Sequence, residues 1–259
     1  MTDYDPRLVA LYDEDNPAGE DHDFYRALAR RIGARHVVDL GCGTGLLTVA
    51  LAADDHDRRV VGIDPSRAML GAARARDGAD AVTWIEGDSG VLRRDRAGGD
   101  RAGGDRAGGD PVDLAVMTGN VAQHILDPAW ELTLLDLRRA MADGGVVAFE
   151  SRNPARRAWE EWATWPITTR ATPSGRLREG LDVTDLGGGL VRLVWRNELL
   201  DLGETLTREE TLVFRDRATI ERQLARAGFG AVRIDGDWAG TAFTGDERLM
   251  VVTATAGRD

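Results

Sequence analysis

The feature that most restricts the fold of this 259-residue chain is a regular alternation of short apolar runs with segments of helical spacing. The apolar runs predict five buried strands, at residues 36–40, 59–64, 81–88, 111–120 and 145–151. Helices lie between them, and Pro65 opens one at a position where proline is tolerated. Strands that alternate with helices form a parallel sheet covered on both faces, so we predict a doubly wound α/β domain.

The pattern changes after the fifth strand, because helical spacing disappears between Trp165 and Phe214. Extended segments separated by glycine turns replace it, and they predict a small antiparallel sheet. This sheet leaves the core at the carboxyl edge of the parallel strands, where open α/β sheets bind their ligands. We therefore expect an antiparallel β lid inserted after strand five. A helix at 217–227 and two last strands then complete the core.

These segments predict the domain organisation. We expect an N-terminal helical cap at residues 1–35, a core at 36–164, the β lid at 165–214 and the C-terminal part of the core at 215–259. Within the core, residues 95–110 repeat the unit DRAGG three times. The repeat has no apolar side chain larger than alanine, so burial cannot offset the entropy cost of ordering it. It is expected to be a flexible surface insertion.

Charge and composition exclude several functions. A net charge of -11 opposes binding to nucleic acid, which depends on basic side chains. All 33 basic residues are arginine, so no lysine can form a Schiff base or serve in a P-loop. The single cysteine, Cys42, and four histidines without zinc spacing predict no metal site. The chain has neither a long apolar span nor a signal-peptide pattern, so we expect a cytoplasmic protein without a membrane partner.

The stretch "VVDLGCGTG", residues 37–45, is a glycine turn that follows the first strand. Such turns hold either nicotinamide dinucleotides or S-adenosylmethionine. The dinucleotide pattern G-x-G-x-x-G requires glycine where this chain has Leu46, and Asp64 at the end of strand two could bind the ribose of either cofactor. Asp39, Asp64 and Asp88 place three acceptors at successive strand ends, which favours S-adenosylmethionine with its cationic sulfur and ammonium groups.

The segments "VVDLGCGTG", "VVGIDPSRAML", "WIEGD" and "DLAVMTGN" stand in the order typical of class I S-adenosylmethionine-dependent methyltransferases. Over residues 37–150 the chain resembles that family. The resemblance implies a seven-stranded, mostly parallel sheet whose last strand is antiparallel, and an S-adenosylmethionine-binding Rossmann-like core. It assigns the ribose hydroxyls to Asp64 and the adenine amine to Asp88. The other residues that it implies in cofactor binding are Asp39, Gly41, Gly43, Gly45, Ser89, Thr118, Asn120, Tyr12 and Tyr25.

Each assignment has a simpler structural alternative. Asp39 and Asp64 could cap neighbouring turns, Asp88 could be a solvated loop acid, and aromatic side chains such as Tyr12 and Tyr25 could serve packing alone. Methyl transfer itself is a displacement that mainly requires alignment of the nucleophile and, for a protonated acceptor, a base.

His124 is the candidate base, because it follows Asn120 by four places near the end of strand four. A packed or surface histidine is the alternative. Glu150 and Arg152 could contact an acceptor or pair with each other. We expect transfer of a methyl group to nitrogen or oxygen of a small-molecule acceptor. A nicotinamide oxidoreductase and a non-catalytic cofactor-binding protein stay open as alternatives, as does the oligomeric state.

Overall fold

The computed structural model describes residues 3–93 and 110–257. Its strands are β1 (His36–Leu40), β2 (Arg59–Asp64), β3 (Val82–Glu86), β4 (Val112–Met117), β5 (Met141–Arg152), β6 (Thr168–Thr172), β7 (Gly175–Gly187), β8 (Leu190–Leu199), β9 (Glu204–Val213), β10 (Phe229–Asp235) and β11 (Leu249–Ala256). Its helices are α1 (Pro6–Val9), α2 (Tyr12–Asp15), α3 (Glu20–Arg31), α4 (Leu46–Ala53), α5 (Arg67–Arg74), α6 (Val121–His124), α7 (Ala129–Ala140), α8 (Ala158–Trp162) and α9 (Arg217–Arg226).

Seven strands form the central sheet, in the order β10-β11-β5-β4-β1-β2-β3. The pairs among the first five strands are parallel, whereas β11 is antiparallel to both of its neighbours. This confirms the prediction of a mostly parallel sheet with an antiparallel last strand. Because β4 pairs with β1 on the side opposite β2, the strand order reverses there. The crevice between β1 and β4 at their carboxyl ends is where such sheets bind ligands.

Strand β1 shows why the sequence forms a sheet covered on both faces. All five of its residues are buried, and consecutive side chains point to opposite layers. Val38 lies in a cluster with Phe149, while Val37 lies in a second cluster with Leu51. Asp39 occupies the same buried strand, so its carboxylate sits among apolar neighbours where a charge is costly.

The four strands β6, β7, β8 and β9 form a second, separate sheet in that order. All of its pairings are antiparallel, which confirms the antiparallel sheet predicted after strand five. Leu193 is buried on one face, whereas its neighbour Arg192 is exposed, as expected for a sheet with one covered face.

The N-terminal segment, residues 3–15, contacts both sheets. Leu11 packs between Leu177 and Leu199 of the second sheet. Asp3 reaches the core, where its carboxylate accepts a hydrogen bond from the hydroxyl of Ser66 at 2.5 Å. The segment therefore bridges the two layers at the carboxyl edge of the central strands.

Three of the expectations from sequence can be compared only with the residues that the structure describes. The DRAGG segment, residues 95–110, lies outside them except for Asp110, so its flexibility stays a prediction. Within the part of the chain that is described, no helix combines the length and apolarity needed to cross a membrane. The same part contains no cluster of three or more metal-ligating side chains.

Gly62 in β2 generates a stability prediction. A Cβ atom there would lie 2.6 Å from the Trp84 ring and 3.1 Å from the sulfur of Cys42. We expect Gly62→Ala to lower the free energy of unfolding by about 1–3 kcal/mol, the usual cost of overpacking a core.

Gly71 within α5 is the matched control, since nothing lies within 4 Å of a Cβ at that position. Gly71→Ala should leave stability unchanged or raise it by up to about 1 kcal/mol through helix propensity. Urea unfolding of both variants checks this, and equal effects of the two substitutions would contradict the packing described for Trp84.

Candidate functional site

The three glycines of the turn between β1 and α4 have positive φ angles of 77°, 54° and 78° at Gly41, Gly43 and Gly45. A Cβ at Gly41 would lie 2.6 Å from the side chain of Val121, and one at Gly45 would lie 2.5 Å from the Trp84 ring. At Gly43 the nearest atom is a ring carbon of Tyr12, 3.9 Å away. Neighbouring side chains therefore occupy the space that a Cβ atom would take at Gly41 and Gly45. Of the three glycines, only Gly43 faces open space.

Asp64 ends β2 beside this turn and is buried. Its carboxylate accepts hydrogen bonds from the amides of Gly43 at 2.9 Å and Ser66 at 2.8 Å. Burial raises the pKa of Asp64 despite these two bonds. The residue thus fixes the turn and the start of α5 at the same point.

Asp39 lies deeper and is fully buried at the end of β1. One carboxylate oxygen accepts a hydrogen bond from the Thr48 hydroxyl at 2.6 Å, and the other, Oδ1, is buried with no protein partner in the structure. Burial raises the pKa of Asp39 to about 7. A buried carboxylate oxygen without a partner marks a place where a cationic ligand would be favourable.

The loop after β4 turns on Gly119 and Asn120, whose φ angles are 74° and 61°. The amide of Asn120 donates to the buried carboxylate of Glu150, while the side-chain Oδ1 of Asn120 is buried without a protein partner. Thr118 donates a long hydrogen bond of 3.4 Å to Asp21 of α3. The loop therefore contributes a second buried acceptor next to the glycine turn.

Asp88 and Ser89 follow β3 and differ in what they can offer a ligand. Asp88 is exposed, and its carboxylate also accepts from the amide of Gly90 at 2.8 Å, as a turn-capping acid does. The hydroxyl of Ser89 is buried and donates to Asp136 of α7 at 3.0 Å. The Ser89 side chain is thus engaged with α7, which leaves only its backbone for the role expected of it.

The two tyrosines expected to cover a cofactor lie in different surroundings. Tyr12 is half-buried and faces Gly43, so its contact with a cofactor stays a prediction. Tyr25 has no exposed surface: its ring packs against Trp238 and its hydroxyl donates to Glu150. The position of Tyr25 in the core favours the alternative that it serves packing.

Tyr4 is a site residue that sequence reasoning missed. The guanidinium of Arg208 on β9 lies 4.6 Å from the centre of the Tyr4 ring. Burial raises the pKa of Tyr4 to about 12, and the charges of Arg208, Glu210 and Asp64 also act on it. No local pattern could indicate this, since Tyr4 reaches the site only because the N-terminal segment lies between the two sheets.

His124 ends the short helix α6 and meets the second sheet. Its Nδ1 atom lies 3.2 Å from Oε2 of Glu210 on β9. The other oxygen of Glu210 accepts a hydrogen bond from the indole of Trp195 at 2.9 Å. Although burial opposes it, the pKa of Glu210 falls to about 2, because His124 and Arg208 bond to the carboxylate and stabilise its charge.

A cavity of about 400 Å³ opens beside this pair. The residues that line it are His124, Leu126, Glu209, Glu210 and Thr211. His124 and Asp64 also interact electrostatically, so the imidazole and the carboxylate that ends β2 lie in one region, although burial raises the pKa of Asp64 overall. Glu210, like Tyr4, carried no sequence signal, because its partner lies 86 residues away on another element.

Glu150 and Arg152 do not form the direct ion pair considered for them. Glu150 bonds to Tyr25 and Asn120, as described above. Arg152 donates to the side-chain oxygen of Gln123 at 3.1 Å, and its guanidinium lies 5.0 Å from the centre of the Trp162 ring. The two charges therefore have separate partners.

Residues 38–147 match the family model described as a methyltransferase domain. A relative that spans most of the chain is the cypemycin N-terminal methyltransferase of a Streptomyces species, 27% identical over 86% of this chain and 84% of the relative. The trans-aconitate 2-methyltransferase of Methylobacterium radiotolerans is 38% identical over 32% of this chain. That match spans about a third of the length of the relative, 34%.

Solved structures with a similar fold cover almost the whole chain. The CcbJ methyltransferase of Streptomyces caelestis has a TM-score of 0.72 at 17% identity, over 98% of this chain and 100% of that one. CalS10, an amino pentose methyltransferase of Micromonospora echinaspora whose structure holds S-adenosylmethionine, has a TM-score of 0.62 at 17% identity, over 98% and 99%. Residues 38–147 therefore match a methyltransferase domain, and the whole chain shares the fold of solved S-adenosylmethionine-dependent methyltransferases.

Proposed function

We propose that the protein transfers a methyl group from S-adenosylmethionine to a nitrogen or oxygen atom of a small-molecule acceptor. The proposal rests on one observation: the pair of His124 and Glu210 lines a cavity of about 400 Å³ at the carboxyl edge of the central sheet. Methylation of a protonated acceptor requires a base, and this pair would place one near the carboxyl ends of the strands that bind the cofactor.

The residues present fit this cofactor. Its sulfonium and ammonium groups are cations, and the partnerless buried oxygens of Asp39 and Asn120 are acceptors that such groups would satisfy. Asp64 would hold the ribose hydroxyls and Asp88 the adenine amine, with Gly43 giving the space for close approach. A pyrophosphate at the same turn would instead meet buried carboxylates, which argues against a nicotinamide cofactor.

When bound, S-adenosylmethionine would supply a methyl group on a positively charged sulfur, and the sulfur would keep the electron pair of the broken bond. The chain has to align the acceptor and take its proton. In neutral His124, donation of the Nδ1–H to Glu210 selects the tautomer whose Nε2 carries no proton, so Nε2 would take the proton that the acceptor loses. Trp195 and Arg208 hold Glu210 ionised for this purpose.

The second sheet and the N-terminal segment complete the proposal. The antiparallel sheet at residues 165–214 would be the lid, and the N-terminal cap would close with Tyr4 and Tyr12 over the site. Both would exclude water from the transfer. The name of the cypemycin N-terminal methyltransferase supports a nitrogen acceptor. We also propose a cytoplasmic location, and the net charge of -11 supports the absence of a nucleic-acid partner.

Asp64 gives the first functional prediction. Asp64→Ala should weaken S-adenosylmethionine binding roughly 100-fold, the value of about two hydrogen bonds to a charged group. Titration calorimetry measures the affinity, and circular dichroism checks that the fold persists.

Glu86 is the matched control, because it pairs in register with Asp64 on the neighbouring strand but is exposed. Glu86→Ala should leave the affinity unchanged. If the Asp64 variant bound as tightly as the wild type, the ribose assignment would be wrong.

His124 and Glu210 give the second functional prediction. His124→Ala should lower the single-turnover rate of methyl transfer roughly 100-fold or more, the usual contribution of a general base. Glu210→Gln should lower it about tenfold, since it removes one charge-assisted hydrogen bond to the imidazole.

Glu198→Gln serves as control, because Glu198 lies on the second sheet and pairs with Arg178 rather than with the cavity residues. It should keep the wild-type rate. Little change in the His124 variant, on an acceptor found by screening amine, hydroxyl and carboxyl metabolites, would remove the base from the mechanism.

Affinity for the cofactor should depend on pH. Asp39, whose pKa burial raises to about 7, is protonated below that pH, and a bound cation favours its ionised form. Binding must then release a proton, so affinity should rise by up to about tenfold per unit as pH increases toward about 7 and level off above it.

Asp39→Asn should reduce this slope, because the asparagine side chain does not titrate. Calorimetry between about pH 6 and pH 8 measures both proteins. An unchanged slope in the variant would show that Asp39 does not face the cation.

A further inference from the structure

Glu150 is a buried acid that the proposed chemistry does not use. It lies near the end of β5, and only 2% of its surface is exposed. Its two oxygens have different partners: the hydroxyl of Tyr25 donates to Oε2, and the backbone amide of Asn120 donates to Oε1. Neither partner carries a positive charge, so the carboxylate is costly to bury and is retained against that cost.

The partner on the loop is the informative one. Asn120 has a left-handed backbone with φ of 61°, directly after Gly119 with φ of 74°. A non-glycine residue is uncommon in this region, although asparagine adopts it more readily than most. The hydrogen bond from the Asn120 amide to Glu150 is a side-chain contact made directly by this backbone and fixes its amide.

The conformation of this loop sets the positions of three groups at the site. The side-chain Oδ1 of Asn120, like Oδ1 of Asp39, is a buried oxygen of this site that has no protein partner. Val121, the next residue, fills the space beside Gly41 in the glycine turn. His124 ends the same short helix and meets Glu210. A shift at Asn120 would therefore move the cofactor side and the acceptor side together.

The partner on α3 makes this support rigid. The Tyr25 ring is fully buried, and its centre lies 5.4 Å from that of Phe24 and 5.8 Å from that of Trp238. Burial and the charge of Glu150 raise the pKa of Tyr25 well above its usual value, so the hydroxyl keeps the proton that it donates. Glu150 is thus held from behind by a residue that cannot move independently of the core.

We propose that Glu150 is a positioning residue for cofactor binding: through the amide of Asn120 it holds the loop after β4 in the left-handed conformation that presents the Asn120 oxygen to the cofactor. It does so without touching the cofactor. The inference rests on the proposed function for the identity of the cofactor-facing groups, and its test measures binding rather than turnover.

The test compares two substitutions of similar size. In Glu150→Gln, the side-chain oxygen still accepts from the Asn120 amide and the new NH₂ group donates to the Tyr25 hydroxyl. Its dissociation constant for S-adenosylhomocysteine, measured by calorimetry at about pH 8 where Asp39 is ionised, should stay within about threefold of the wild type. Glu150→Met accepts neither bond and should weaken binding at least about tenfold.

Tyr25→Phe is the matched control. It keeps the buried ring and removes the donor to Oε2, one of the two contacts of Glu150, while the bond to Asn120 persists; affinity should therefore fall by about threefold at most, less than in Glu150→Met. If Glu150 served packing alone, Glu150→Met would lower the thermal midpoint and leave the affinity for S-adenosylhomocysteine unchanged. Unchanged affinity in Glu150→Met, or an equal loss in Tyr25→Phe, would overturn the inference.

Asn120→Gly keeps the test decisive if Glu150→Met does not fold. Glycine relaxes the positive φ but lacks the side-chain oxygen, so the thermal midpoint should hold while affinity falls about tenfold. Wild-type affinity in this variant would also overturn the inference. Failure of the wild type itself to bind S-adenosylhomocysteine would instead contradict the proposed function, so the two failures are distinguishable.

Discussion

The site depends on negative charge that is buried at the carboxyl edge of the central sheet and lacks a cationic protein partner. Asp39 and Glu150 are both fully buried there, and burial raises the pKa of each to about 7. Asp64 is buried beside them and its pKa is raised as well. Proteins normally pair buried acids with arginine, and this chain has 33 arginines available. A cationic ligand would stabilise the ionised forms of Asp39 and Asp64, whereas Glu150 is held by Tyr25 and the amide of Asn120.

The acid next to the proposed methyl-acceptor cavity, Glu210, differs because it has cationic protein partners. Glu210 is partly buried, but Arg208, His124 and Trp195 all contact it, and its pKa falls to about 2. This carboxylate is ionised in any ordinary solution and can therefore orient an imidazole at all times. The pKa values of Asp39 and Asp64 are raised, so a bound cation would shift these acids toward the ionised form, which suits binding of a cation. The pKa of Glu210 is low without a ligand, which suits a role in proton transfer.

Much of this could be predicted from the sequence, because strand ends are local features. Alternating apolar runs indicate β1 to β5, and the carboxyl ends of parallel strands must meet at one edge, so Asp39 and Asp64 were predicted together there. The antiparallel second sheet was also predicted, from the loss of helical spacing after the fifth strand.

What could not be predicted depends on contacts between distant segments. Tyr25 looked like a cofactor contact, but the packing of α3 turns its ring into the core. Tyr4 and Glu210 reach the site only after the N-terminal segment and β9 have docked on the central sheet. Such placements depend on tertiary packing, which has no periodic signature in one sequence. The left-handed backbone at Asn120 is of the same kind, because a buried acid 30 residues later supports it.

The central claim is that this edge binds a cationic methyl donor, and one calorimetric comparison tests it most directly. Wild-type protein titrated with S-adenosylmethionine and, separately, with NADH should bind the first at one site per chain and give no heat of binding with the second. Binding of NADH without binding of S-adenosylmethionine would contradict the account.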